Sequence, residues 1–215
     1  MRMTIFAVIL ASLVTLPLAG FAAPAPAPLA NRVIVLDPGH GGPQAGALYC
    51  GVREADVNLA VALLLQKKLA DAGATVVLTR STDALLAVAA AAPAVELQAR
   101  VDVAKAADAD IFVSLHANAH DKAETAGIIT FYPPGRPTEL ARAIQDGLVW
   151  ETGAVNKGLR PANFYVLRQS DVPAVLVEMG FLTNRAENAR LADPDYQEQL
   201  AAGIFKGIVS YFLAH

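Results

Sequence analysis

Two kinds of apolar pattern alternate along the 215-residue chain. Short apolar runs at 33–36 and 111–115 read as buried strands, and 75–80 as another strand between them. The stretches GIITFYPPG, closed by its Pro-Pro-Gly turn, NFYVLRQ and PAVLVEMG supply further strands. Between these lie segments of helical spacing. Val57, Val61, Leu64, Leu65 and Leu69 form one stripe, stopped at Gly73. Leu97, Val101 and Ala104 mark a second helix, TELARAIQDGLVWET before Gly153 a third, and Leu200, Ile204, Ile208 and Phe212 a C-terminal one. The Ala-rich stretch STDALLAVAAAAP carries neither period and reads as loop or loose helical turn. Strands alternating with helices predict a single α/β domain with a mainly parallel central sheet of about six strands, flanked by helices.

The first thirty or so residues depart from this pattern and inflate the positive mean hydropathy. One basic residue, Arg2, precedes an apolar stretch and then small residues, the order of a secretory signal peptide. Gly20 and Ala22 fit a cut that leaves a signal peptide at 1–22; Ala23 and Ala25 offer a second site. An uncleaved anchor is the alternative, since 4–23 is nearly long enough to span a bilayer. The Pro/Ala segment 23–30 reads as an extended linker, which leaves 31–215 as the folded domain. With a single cysteine, Cys50, an exported chain forms no internal disulfide and depends on its core. A net charge of −3 without a basic cluster argues against nucleic acid as a partner, and no stable membrane insertion is expected once the signal is cut.

Candidate chemistry gathers at strand ends. In VLDPGHGG, Pro38 ends the strand because it lacks the ladder donor, and Gly39, Gly41 and Gly42 permit unusual backbone angles. His40 therefore stands at the carboxyl end of a strand, where open α/β sheets bind ligands. His116 and Glu178 close two other strands, and Glu54 opens the first long helix. Two histidines and a carboxylate that leave a position open make a catalytic zinc set, and Glu178 is then placed to move protons. Spacing alone does not choose between this and a turn histidine without a role, because the groups come from separate elements and not from a compact HExxH.

The motifs VIVLDPGHGG, READVNLA, VSLHAN and AVLVEMGFLTNRAE, with NFYVLR and Arg100 in their places between, resemble the zinc-dependent N-acetylmuramoyl-L-alanine amidases of type 3. The resemblance runs from about Val33 to the C-terminal helix. It implies Zn2+ held by His40, Glu54 and His116, with Glu178 as the catalytic glutamate, Arg100 supporting the site and Asn118 fixing a turn. It further implies hydrolysis of the amide between the lactyl group of N-acetylmuramic acid and L-alanine, in peptidoglycan or muropeptides, outside the cytoplasm (periplasm or secreted). A zinc peptidase cutting within the stem peptide, and a non-catalytic wall-binding relative, are the alternatives. Some members insert a helical segment after the HAN motif that blocks the zinc. Here only a short strand and turn separate HAN from Thr138, so an open site and no built-in autoinhibitory helix are expected, in a monomer.

His120 and His215 read as solvated histidines. Asp37 is either a partner for an imidazole or a turn residue. Asp56 and Asn58 read as polar residues favoured near a helix start. The loop PQAGALYCGV and Lys105 depart from the family pattern.

Overall fold

The computed structural model describes residues 27–87 and 92–215; the expected signal peptide, the start of the linker and part of the Ala-rich stretch lie outside them. Leu29, near the end of the expected linker, is fully buried in the core, and its N–H donates to Ala72 O at 3.0 Å.

The β-branched runs form strands β1 (Val33–Pro38), β4 (Thr75–Leu78), β5 (Ile111–Asn118) and β8 (Ala174–Phe181). With β6 (Ile128–Tyr132) and β7 (Asn156–Pro161) they make a six-stranded sheet in the order β4-β1-β5-β8-β6-β7. β4, β1, β5 and β8 run parallel; β6 is antiparallel to β8 and parallel to β7, so the sheet is mainly parallel, as expected. A two-residue turn at Cys50 and Gly51, both at positive φ, joins the short hairpin β2 (Leu48–Tyr49) and β3 (Val52–Arg53). The long helices are α1 (Glu54–Asp71), α2 (Pro93–Ala106), α3 (Glu139–Thr152) and α6 (Pro194–Ala214). Gly153, at φ 61°, closes α3 in the left-handed conformation that the sequence predicts.

One expected strand is instead a helix. NFYVLRQ contains the short α4 (Tyr165–Arg168), and the sixth strand is β7, NKGLRP. An apolar run of that length fits either period. β7 is an edge strand with little burial, so it lacks the apolar signature that marks the others. Helix α5 (Arg185–Leu191) also went unanticipated; the Asn184 side chain caps it by accepting from the N–H groups of Ala186 and Glu187.

Strand alternation divides the core. Ile34 and Leu36, Ile111, Val113 and Leu115, and Val175 and Val177 point to one face, under α1, α3 and α6. Val35, Phe112 and Leu176 point to the other, which among the described residues carries only α2 and the one-turn α4. The same parity continues along this second face, so Asp37, then Ser114 and His116, then Glu178 follow the apolar residues on adjacent strands. The fold thus sets a polar row at the carboxyl ends of β1, β5 and β8.

On the thicker face, α3 and α6 meet through glycines. A Cβ on Gly207 would lie 2.5 Å from both Ala143 O and Ile144 Cα, both backbone atoms that cannot step aside. Gly207→Ala should therefore destabilise the protein by about 1–3 kcal/mol, visible as a lower urea midpoint with an unchanged slope.

Candidate metal centre and active site

β1 hands its chain to the site through Gly39, whose N–H donates to Leu115 O at 3.0 Å and extends the ladder by one residue. His40 follows at φ 63°, a left-handed conformation that non-glycine residues rarely adopt. Behind it, Gly41 and Gln44 exchange backbone hydrogen bonds of 2.9 and 3.0 Å, closing the turn. Glu54 is the first residue of α1; its Oε2 accepts from Ala47 N at 2.9 Å, which ties the segment leading into β2 to the carboxylate. His116 enters from β5, beside Glu178 in the β5–β8 register.

These elements bring His40, Glu54 and His116 together. Glu54 Oε1 lies 3.1 Å from His40 Nε2 and 2.8 Å from His116 Nδ1, and the imidazole rings stand 5.0 Å apart at 76°. One donor atom from each of the three falls within 4.8 Å of the others. Burial alone would raise the Glu54 carboxyl, but hydrogen bonds to His116 and His40 outweigh it and hold Glu54 well below the usual carboxylate range. Burial opposes charge on His116 too, yet the Glu54 carboxylate raises it. Two imidazole nitrogens converging on one ionised, buried carboxylate suit a divalent cation, which can take the place of the shared proton.

Among the described residues, Glu178 belongs to no ion pair. Its Oε2 is buried and has no hydrogen-bond partner, and burial pushes its carboxyl up to about 7. His116 pulls it down and Glu54 pushes it further up. A groove of about 300 Å3 runs from His40, His116 and Glu178 between α2 and α4, with Leu97, Phe164 and Tyr165 on its walls.

Arg100 lies beneath this site with all five guanidinium N–H groups engaged. It donates to Glu96 Oε1 from Nε and Nη2, to Asp37 Oδ1 and Pro38 O from Nη1, and to His40 O from Nη2, at 2.8–3.0 Å. It therefore holds the histidine turn and has no donor left for a ligand. α2 accordingly buries Glu96 and Arg100 beside Val101 and Ala104, while Leu97 is only half-buried.

Asp37, weighed as a partner for an imidazole, pairs with none. It accepts from Thr79 Oγ1 and Ser114 Oγ, each at 2.7 Å, and from Arg100. Burial would raise its carboxyl, but Arg100, Ser114 and Thr79 together carry it below the ordinary value. A depressed folded pKa contributes stability that is present above the unfolded value, near about 4, and is lost as pH falls through the folded one. Asp37→Asn should thus lower the urea midpoint at pH 7, and the deficit should shrink toward pH 3.

Asn58, read as a helix-start residue, is fully buried and donates from Nδ2 to Gly39 O at 3.2 Å. Arg80 drew no attention in the sequence. It donates to Pro38 O at 2.8 Å, Gly39 O at 3.0 Å and Ala55 O at 2.8 Å. The sequence signal for both is faint: an arginine closing a strand, and an amide one turn into a helix. Asn118 accepts from Ala119 N and so fixes its turn. His120 and His215 are exposed and stand outside the ligand cluster.

A family model described as N-acetylmuramoyl-L-alanine amidase matches residues 34–210. The chain is 37% identical over 189 residues to the N-acetylmuramoyl-L-alanine amidase LytC of Bacillus subtilis, across 86% of this chain but only 36% of LytC. It is 36% identical over 194 residues to the germination-specific N-acetylmuramoyl-L-alanine amidase of the same organism, across 86% of this chain and 81% of that protein. Among solved structures, the catalytic domain of CwlV, an N-acetylmuramoyl-L-alanine amidase from Bacillus (Paenibacillus) polymyxa, superposes with a TM-score of 0.78 at 36% identity, over 86% of this chain and 99% of that domain.

Proposed function

Because the chain belongs to the N-acetylmuramoyl-L-alanine amidase family, we propose that it hydrolyses the amide between the lactyl group of N-acetylmuramic acid and L-alanine in peptidoglycan or muropeptides. His40, Glu54 and His116 would hold a zinc ion, which would supply Lewis acidity toward the amide carbonyl and lower the pKa of water. Glu178 takes the proton of the attacking water and delivers it to the departing amino group of L-alanine. Arg100 and Asp37 keep the His40 turn in place. The groove between α2 and α4 receives the substrate next to these groups.

The observation that carries this reading is Glu178 Oε2: buried, without a partner, and on the strand position beside His116. A buried carboxylate oxygen left unpaired is costly, and accepting a proton from a reacting water is a use that accounts for it. Export by a signal at 1–22, a Pro/Ala linker from 23 and a catalytic domain at 31–215 whose core also takes in Leu29 from the linker's end, acting as a monomer in the periplasm or outside the cell, complete the proposal. No helix among the described residues is long and apolar enough to cross a membrane. The 119–127 connection between β5 and β6 is short, in keeping with a site open to substrate.

Mass spectrometry of purified peptidoglycan incubated with the protein, with and without a chelator, tests the reading. Free stem peptides beginning at L-alanine, lost on chelation, are the expected products. Fragments cut within the stem would move the scissile bond, and no products from a zinc-loaded protein would favour a wall-binding role.

A further inference from the structure

We propose that Arg80 is a positioning residue for the metal site, which holds the His40 turn in its ligand-ready conformation before any metal binds; this rests on the reading of His40, Glu54 and His116 as metal ligands. Arg80 lies two residues past the end of β4 and is 5% exposed. No carboxylate accepts from it among the described residues; its side chain donates to backbone carbonyls alone, those of Pro38, Gly39, Ala55 and Thr82. A buried cation without an ion-pair partner is unfavourable, so its position calls for something that only its geometry supplies.

The acceptors show what that is. Pro38 and Gly39 precede His40 directly, and Ala55 follows Glu54 directly. Nη2 alone spans the two segments, at 3.0 Å to Gly39 O and 2.8 Å to Ala55 O. Gly39 O belongs to the peptide unit that ends in the His40 nitrogen, so fixing that carbonyl restrains the φ of His40, which sits at 63°. Left-handed backbone at a non-glycine residue persists only where its surroundings over-determine it. Here the carbonyls of Pro38, Gly39 and His40 are all claimed, by Arg80, Arg100 and Asn58. The stem of Arg80 also packs on Gly41, where an added Cβ would lie 3.0 Å from Arg80 Cδ. The rigid guanidinium fork reaches four carbonyls in separate directions, which the single ammonium of lysine does not.

The test is zinc affinity, read by competition against a chromophoric chelator, for the full chain and its Arg80→Lys and Arg80→Met variants. Affinity should fall about 10–100-fold in both. Gly207→Ala serves as the control, since it loosens the distant α3–α6 contact and should leave zinc affinity unchanged. A purely structural role predicts that Arg80→Lys binds zinc like the wild type, and that outcome overturns the inference alone. A wild-type chain that binds no zinc overturns the metal reading and this inference with it. Should both variants fail to fold, exchange of the Arg80 Nε–H in the wild type decides. Protection in the metal-free protein, unchanged by zinc, supports the inference; protection that appears only with zinc overturns it.

Discussion

Glu178→Gln should yield a protein that binds zinc as tightly as the wild type and turns substrate over about 10²–10⁴-fold more slowly, the range of a lost general base. The substitution keeps the shape of the side chain. Glu178 Oε2 makes no hydrogen bond, so the new amide breaks none there, and the β8 strand beneath it is unaffected. What disappears is the basic oxygen. Stem-peptide release followed by chromatography, alongside zinc stoichiometry, separates the two effects; a variant that loses both zinc and activity would place Glu178 among the ligands instead. The pH profile gives a second reading. Burial pushes the metal-free carboxyl up to about 7. A dication nearby favours the carboxylate, so the acid limb of kcat/KM for the zinc-loaded enzyme should lie below pH 7.

Gly39→Ala should abolish tight zinc binding while most of the fold survives. The Cβ would stand 2.2 Å from Cε1 and Nε2 of His116 and 2.8 Å from its Cδ2, closer than any real contact. The imidazole ring therefore has to move, and it is pinned between Gly39 and Glu54. Displacing one of the three proposed ligands in this way should weaken zinc by about 100-fold or more, at the upper end of what neighbouring residues contribute. Gly46 raises the same issue from the other side: at φ 68°, its added Cβ would lie 2.5 Å from Glu54 Oε2. Chelator competition and the thermal midpoint of each variant check both sites. Gly39→Ala that binds zinc normally would mean that the His116 ring adopts another pose in solution.

The division between what the sequence discloses and what it conceals follows physical lines. β1, β5 and β8 are legible because they are buried on both faces and so written in unbroken apolar runs. β7 is not, because an edge strand needs no such run. The segment around Tyr165 reads as a strand in the sequence but is a helical turn, since one helical turn and a short strand bury similar residues. His40, Glu54, His116 and Glu178 stand out because the roles proposed for them, metal ligand and base, require particular side chains in recognisable motifs. Arg80 and Asn58 do not, since each acts on carbonyl groups that every residue possesses, and only the folded path of the 38–40 turn reveals which ones. Asp37 shows the same limit: its type was noticed, but its partners, Thr79, Ser114 and Arg100, come from three other elements.

The unequal covering of the sheet has a consequence for how the protein breathes. All three proposed ligands are tied to β1, β5 and α1, which α6 and its neighbours bury, whereas the groove wall of α2 and α4 rests on a smaller apolar cluster. Native-state hydrogen exchange should register this as two tiers of opening. Amides of β5 and α6 should exchange only through global unfolding, and those of α4 through a cheaper, local detachment. The metal would then sit on the part of the molecule that opens last, and the substrate would meet the part that opens first, so a polymer could be admitted by loosening one wall without disturbing the ligands.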